Sequence, residues 1–259
     1  MTPLVSPVCI NDVYRFISDN ISPQFLMKVI AKLNSISLEV LVSRKNPYLY
    51  CAKGLHHPSE VATALIEAFV ASGEESIFGN FSEQLAIFVA EKVHGGFKSA
   101  IEGLDLEILD QRERIRHFVT IKSGPNWANS EAKRKMYTAF EAAKKTLRTS
   151  QGNNEWKPRC VEGCCYGRSL KRKHGKNYEK LCGQEFWEYV SGSSTFYVDV
   201  LQAFGSAAEN AVSEFGEAKR AATARLEAVI RRSLCTTNGL LDWKQWAQFT
   251  CGAEGNRKF

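Results

Sequence analysis

An α/β fold, with a mixed central β-sheet flanked by helices and further helices at both ends of the chain, follows from three observations. Residues 104–122 alternate apolar and polar side chains on both sides of a short charged turn. A helical segment and another short apolar strand come directly after them. The first and last thirds of the chain carry apolar residues at helical spacing instead.

The helices of the first third have recognisable ends. "NDVYRFISDNISPQFLMKVIAKLNS" predicts two short helices broken near Pro23, the first capped by Asn11. "HPSEVATALIEAFVASG" opens with Pro58 and an acid in its first turn and closes at Gly73, which predicts a helix over that stretch. "FSEQLAIFVAEKV" predicts a separate helix capped by Ser82, with Leu85, Phe88 and Val89 on one stripe.

The period changes at residue 104. "LDLEIL" places Leu104, Leu106 and Ile108 on one face, with Asp105, Glu107 and Leu109 on the other. After "DQRER", the run "IRHFVTIK" places Ile115, His117, Val119 and Ile121 on one face, and Arg116, Phe118, Thr120 and Lys122 on the other. Such alternation about a polar turn predicts a β-hairpin. Aligning the apolar faces sets Asp105 opposite Thr120 and Glu107 opposite Phe118, with Lys122 one diagonal step from Asp105. A one-residue slip would mix charged and apolar groups on both faces. "SEAKRKMYTAFEAAKKTLR" then predicts a helix capped by Ser130, with Glu131 in its first turn and basic residues at its end. "KPRCVEGCCYG" predicts the next strand. Strand, helix, strand is a parallel crossover, whose sheet is usually covered on both faces. Near the C-terminus, Ala211, Val212, Phe215, Ala222, Leu226 and Ile230 mark a long amphipathic helix, which either covers the sheet or forms a dimer interface. The expected organisation is one domain over residues 1–259. Within it, residues 1–76 form an N-terminal helical region, residues 77–192 the core and residues 193–259 a C-terminal helical region.

Composition narrows the class. A chain of 259 residues with 44% hydrophobic and 24% charged content suits a soluble globular protein. The most apolar runs are short and carry acids, so no membrane span is expected. The N-terminal stretch lacks the layout of a secretory signal, and the expected location is the cytoplasm. Eight cysteines in that compartment are read as free thiols or metal ligands rather than disulfides. The net charge of +6 is compatible with a polyanionic partner.

The candidate site lies on the polar face of the hairpin. Asp105, Glu107 and Lys122 form either a solvated charge cluster or, beneath a crossover helix, a cleft. Oxygen ligands of this kind suit Mg²⁺, which takes one or two carboxylates together with waters and a substrate phosphate. A lysine beside such an ion can hold or help deprotonate the attacking water and neutralise charge at phosphorus. His117 falls on the apolar side and is read as a core residue. Cys160, Cys164, Cys165 and Cys182, with His174 between, lack the paired spacing of a zinc site, and packing is their expected role over structural Zn²⁺. "GRSLKRKHGK" gathers Arg168, Lys171, Arg172, Lys173 and Lys176, either a solvated loop or a set of phosphate contacts. Ser123, Asn126, Trp127 and Asn129 follow Lys122; they either touch a phosphate backbone or line the cleft, and Trp127 equally suits the core.

An aspartate, a hairpin and a strand ending in x-x-Lys resemble the PD-(D/E)XK nucleases. That pattern wants an acid two residues before the lysine, where this chain has Thr120. "RKNPYLY", "EESIFGNFSEQLAIFVAEKVHGG", "EGLDLEI", "IKSGPNW", "TLRTS", "GCCYGR" and "LCGQEFWEYVSG" further resemble the PmeII-type subgroup of type II restriction endonucleases, from about Arg44 to Gly192. The resemblance implies sequence-specific, Mg²⁺-dependent hydrolysis of double-stranded DNA, with Mn²⁺ as a substitute ion, in defence against foreign DNA. It also implies a homodimer and a cognate DNA methyltransferase. Asp105 and Lys122 take the catalytic positions. Glu107, on the face of Asp105, or Glu83, from a neighbouring helix, supplies the second carboxylate. Glu83 equally suits the first turn of its own helix. Two other functions fit the same residues: a DNA-binding protein that has lost catalysis, as Thr120 suggests, and a repair nuclease acting on DNA ends or structures.

Overall fold

The computed structural model describes residues 6–127, 129–149, 156–168, 177–208 and 212–252. In chain order the elements are α1 (Ile10–Phe16), a π turn (Ile17–Ile21), α2 (Ser22–Ser35), α3 (Leu38–Ser43), α4 (Pro47–Ala52) and α5 (Pro58–His94). Then come β1 (Phe97–Lys98), β2 (Leu106–Asp110), β3 (Ile115–Lys122), α6 (Ser130–Thr149), β4 (Lys157–Cys164) and β5 (Glu179–Cys182). The chain ends with α7 (Gln184–Ser191), α8 (Phe196–Ala208), α9 (Val212–Ser233) and α10 (Trp243–Cys251). Two compact units result, one of residues 1–22 and 78–207, the other of residues 23–77 and 208–259.

The first unit holds a five-stranded mixed sheet in the order β1-β2-β3-β4-β5. β1, β2 and β3 pair antiparallel, while β3, β4 and β5 pair parallel. The hairpin register is the one its alternation predicts: Leu106 faces Val119 and Glu107 faces Phe118. The turn between β2 and β3 is closed by Asp110, whose Oδ1 accepts from the amides of Arg112 and Glu113, each at 3.0 Å. Leu104 departs from the alternation. It precedes the strand, after a turn at Gly103 (φ +85°), and packs with Phe118 instead of with Leu106.

Two apolar layers sandwich this sheet. On the face of Phe118 and Cys160, α6 lays down Met136, Ala139, Phe140, Ala143 and Leu147. On the other face, Gly163 leaves room for the Phe186 ring of α7, which a Cβ at that position would strike. There His117, buried as expected, bonds through Nδ1 to the Tyr189 hydroxyl at 2.7 Å. Burial, with a smaller contribution from Arg159, lowers the His117 pKa to about 4. Asn129 rather than Ser130 caps α6, its Oδ1 accepting from the Ala132 amide at 2.9 Å.

The second unit is helical. Tyr50 of α4 and Trp246 of α10 meet with ring centroids 5.7 Å apart, and α9 packs against α3 with Ala222, Leu226 and Ile230 buried. The amphipathic stripe is thus a core face of this unit over those three residues. Ala211, at the head of that stripe, lies outside the described residues.

Other expectations about helix ends fail as well. The stretches ending at Gly73 and starting at Ser82 belong to a single 37-residue helix, α5. Ser82 is interior to it, buried, with its hydroxyl donating to the Phe78 carbonyl at 3.0 Å. Gly73 and Gly79 each cost a helix only about 1 kcal/mol relative to alanine, and burial of Val70, Ile77 and Phe81 along the same run outweighs that. Asn11 is likewise inside α1, whose cap position is Cys9.

Candidate active site

Asp105 sits at the entrance of β2, where its amide donates to the Val119 carbonyl at 2.9 Å. Its Oδ2 accepts from the Ile121 amide at 2.6 Å and from the Thr120 hydroxyl at 3.2 Å. These bonds aim the carboxylate along the end of β3 and leave Oδ1 without a hydrogen-bond partner among the described residues. Lys122, the last residue of β3, brings Nζ to 3.7 Å from the same Oδ2. Both side chains are partly exposed, at 20% for Asp105 and 27% for Lys122, so a ligand can reach them.

A second carboxylate arrives from α5. Glu83 Oε1 lies 3.9 Å from Lys98 Nζ at the end of β1. Burial and the Asp105 carboxylate together push the Glu83 pKa above its ordinary range, against the opposing pull of Lys98 and Lys122. Cys165, just past β4, is pushed up to about 12 by burial and then by Glu83 and Asp105. Asp105 and Glu83 are two carboxylates that could hold a cation together. The donor set fits Mg²⁺, because that ion takes one or two protein carboxylates and completes its shell with water and substrate phosphate. Among the described residues no group of three or more His, Cys, Asp or Glu side chains converges as a metal cage.

Glu107 is placed differently. It shares the face of Asp105, yet it is 2% exposed and both its oxygens are taken. Oε1 accepts from the Ser99 hydroxyl at 2.8 Å, and Oε2 from Arg116 Nε at 2.7 Å and its terminal nitrogen at 2.6 Å.

The loop after Lys122 is pressed against the loop after β4. Gly124 has no side chain because the Tyr166 ring occupies that space, and Gly167 (φ +96°) lies against the Pro125 ring. This is the local reason for Ser-Gly-Pro at the end of the strand. Trp127 turns inward, its indole N–H donating to Glu162 Oε1 at 2.8 Å. Ser123 is half-buried and Asn126 exposed, while Asn129 is used as the cap of α6. Arg168 is exposed, and the remaining basic candidates, Lys171, Arg172, Lys173 and Lys176, lie outside the described residues, as does His174. A cavity of about 580 Å³ opens at this edge of the sheet, walled by Ser82, Ser123, Cys165, Tyr166, Arg168 and Trp187. All eight cysteines are free thiols.

Sequence reasoning missed Glu162 and Lys98. Glu162 stands beside Thr120 in the parallel register of β3 and β4, and is 3% exposed. Its signal was the alternation of Cys160, Glu162 and Cys164, which places all three on the face of Thr120.

An aspartate and a lysine thus meet at the end of a hairpin of a mixed sheet, with a second acid near them. Residues 11–211 match the type II restriction endonuclease EcoO109I family, which is more than half of the 259-residue chain. The chain belongs to that family of DNA-cleaving enzymes. No curated protein matches the sequence. Among the described residues no helix is long and apolar enough to cross a membrane.

Proposed function

We propose that the protein is a type II restriction endonuclease of the PmeII-type subgroup, on a PD-(D/E)XK nuclease core. It makes sequence-specific, Mg²⁺-dependent cuts in double-stranded DNA, with Mn²⁺ as a substitute ion. The observation that carries this reading is the 3.7 Å approach of Lys122 to Asp105 at the open end of the hairpin.

Asp105 and Glu83 would hold the cation, which supplies Lewis-acid stabilisation of the charge growing at phosphorus. The amide of Ile121 and the hydroxyl of Thr120 fix the orientation of Asp105. Lys122 orients the attacking water and neutralises charge on the phosphate. Thr120, where the nuclease pattern has an acid, thus serves as a donor to Asp105, and Glu83 replaces the missing carboxylate from α5. The basic segment from Arg168 to Lys176 grips phosphates and sets the register on the duplex. A homodimer reading a two-fold site, a location in the cytoplasm and a partner DNA methyltransferase complete the reading.

Digestion of mixed-sequence plasmid DNA with Mg²⁺ tests it. Discrete fragments with a common end sequence are expected. A smear would assign the protein to end-processing, and retention of uncut DNA would assign it to binding alone.

A further inference from the structure

A chain of contacts runs from the interior of the sheet to Lys122. Glu162 is almost fully buried, and its charge is matched by Lys180, whose Nζ lies 2.6 Å from Oε1. The same Oε1 receives the Trp127 indole N–H at 2.8 Å. Lys180 also donates to the Pro125 carbonyl at 3.0 Å, so one ammonium pins both the acid and the loop that carries the tryptophan. At the far end, Lys122 Nζ stands 5.0 Å from the centroid of the Trp127 ring.

A long lysine side chain has many rotamers, and only a few bring its ammonium to Asp105. An aromatic face beneath the ammonium favours one of them. The face itself needs a fixed orientation, which Trp127 takes from packing against the cluster of Phe118 and Phe140 and from the anchoring of its N–H. A buried carboxylate is costly unless paired and hydrogen-bonded, and Lys180 with Trp127 provides both. Glu162 stands next to Thr120 in the sheet, where a migrated metal ligand would be sought. Its contacts turn it the other way, into the interior.

We infer that Trp127 is a positioning residue for the lysine of the active site, and that the Glu162–Lys180 pair is its anchor. This inference rests on the nuclease reading of Asp105 and Lys122. It assigns Trp127 to Lys122 rather than to DNA, and Glu162 to Trp127 rather than to the cation.

The test has two readouts. With ¹³C-labelled lysine, the Lys122 Hε resonance, assigned by its loss in Lys122→Ala, is expected upfield of the position of a solvent-exposed lysine because the ring lies under it. Trp127→Leu removes that shift. Trp127→Phe, which keeps a ring without the N–H, retains some of it. Glu162→Met with Lys180→Met, which removes both charges together, diminishes it while the fold holds. In cleavage, Trp127→Leu lowers kcat by between about two-fold and about thirty-fold, the range of a cation–π contact expressed as a rate. KM for DNA stays unchanged, and Trp127→Phe recovers some of the loss. An unshifted Lys122 resonance in the wild type overturns the inference, as does a shift that survives the double substitution. So does a rise in KM at constant kcat, which would make Trp127 a DNA contact. If the wild type cuts no DNA at all, the nuclease reading fails by itself, and the resonance still decides whether Trp127 holds Lys122.

Discussion

Lys122, the last residue of β3, and Asp105, the residue before β2, stand one diagonal step apart, with Nζ 3.7 Å from Oδ2. The backbone amide of Ile121, one residue before Lys122, donates to that same Oδ2 at 2.6 Å. Acid and lysine are therefore positioned by one short stretch of β3.

Replacing either residue with alanine is expected to lower cleavage by on the order of 10²–10³, the loss seen when one charge-stabilising group is removed from an active site. Binding to DNA in Ca²⁺ should persist in both variants. Wild-type turnover in either one, measured on plasmid DNA, would remove the assignment.

Glu83 and Glu107 should separate by phenotype. Glu83→Gln is expected to weaken cation binding and cleavage while thermal stability holds. Glu107→Gln breaks a buried pair and should destabilise the fold by about 2–3 kcal/mol, less than for a fully buried pair because Arg116 is about one-third exposed. Its folded fraction should still cut DNA. Denaturant unfolding and single-turnover cleavage, run on both variants, give the answer, and the reverse pattern would make Glu107 the ligand.

The raised pKa of Glu83 sets a pH dependence for cation binding. An ion at Asp105 and Glu83 needs both carboxylates ionised, and Glu83 holds its proton to higher pH than an ordinary glutamate. Affinity should therefore rise with pH above the usual carboxylate range, with proton release on binding. Calorimetry with Ca²⁺ in buffers of different ionisation enthalpy measures that release. Glu83→Gln should abolish it.

His117 predicts an acid-sensitive fold. Its pKa falls to about 4 on folding, below an unfolded value of about 6.5, so the unfolded chain binds the extra proton between those values. Stability is fully present above about pH 6.5 and is lost as pH falls toward 4, by up to about 3 kcal/mol from this residue. Denaturant titrations at pH 7 and pH 5 should differ less in His117→Phe than in the wild type. An equal difference in both proteins would refute the assignment.

The basic segment has a salt signature. Replacing Lys171, Arg172 and Lys173 with alanine should flatten the slope of log K against log salt by up to about 2.7 if all three neutralise phosphates. The loss should be similar on cognate and random duplexes. Equal slopes would leave the segment merely solvated, and a loss confined to cognate DNA would make it a reader of bases.

The hairpin was legible because both of its faces are constrained. Moving Leu106 and Val119 out of register would bury Glu107 among aliphatic side chains, so the alternation itself selects the pairing. The limits of such reasoning show at Glu107, where alternation assigns the face but not the partner. Arg116 reaches across the pair and occupies Oε2 of this acid. Gly73 and Ser82 are local helix-end residues, and only burial along the whole of α5 overrides them. Glu162, Lys180 and Trp127 were illegible as a group, since the parallel pairing of Glu162 with Lys180 carries no turn to mark its register and Trp127 joins them only through its indole N–H.

The mixed sheet also sets how the site comes apart. β2 and β3 are joined through residues 111–114, while β4 reaches β3 only after the crossover that contains α6. Loop-closure entropy grows with the logarithm of length, and four residues against the 34 between Lys122 and Lys157 differ by about 2 kcal/mol. Partial opening from the β5 edge should thus release the Glu162 anchor before it separates Asp105 from Lys122. In amide exchange, Val161–Cys164 would then lose protection ahead of the Leu106–Val119 pairing. A protein caught in that half-open state would keep its acid and its lysine side by side, with the ammonium free to wander.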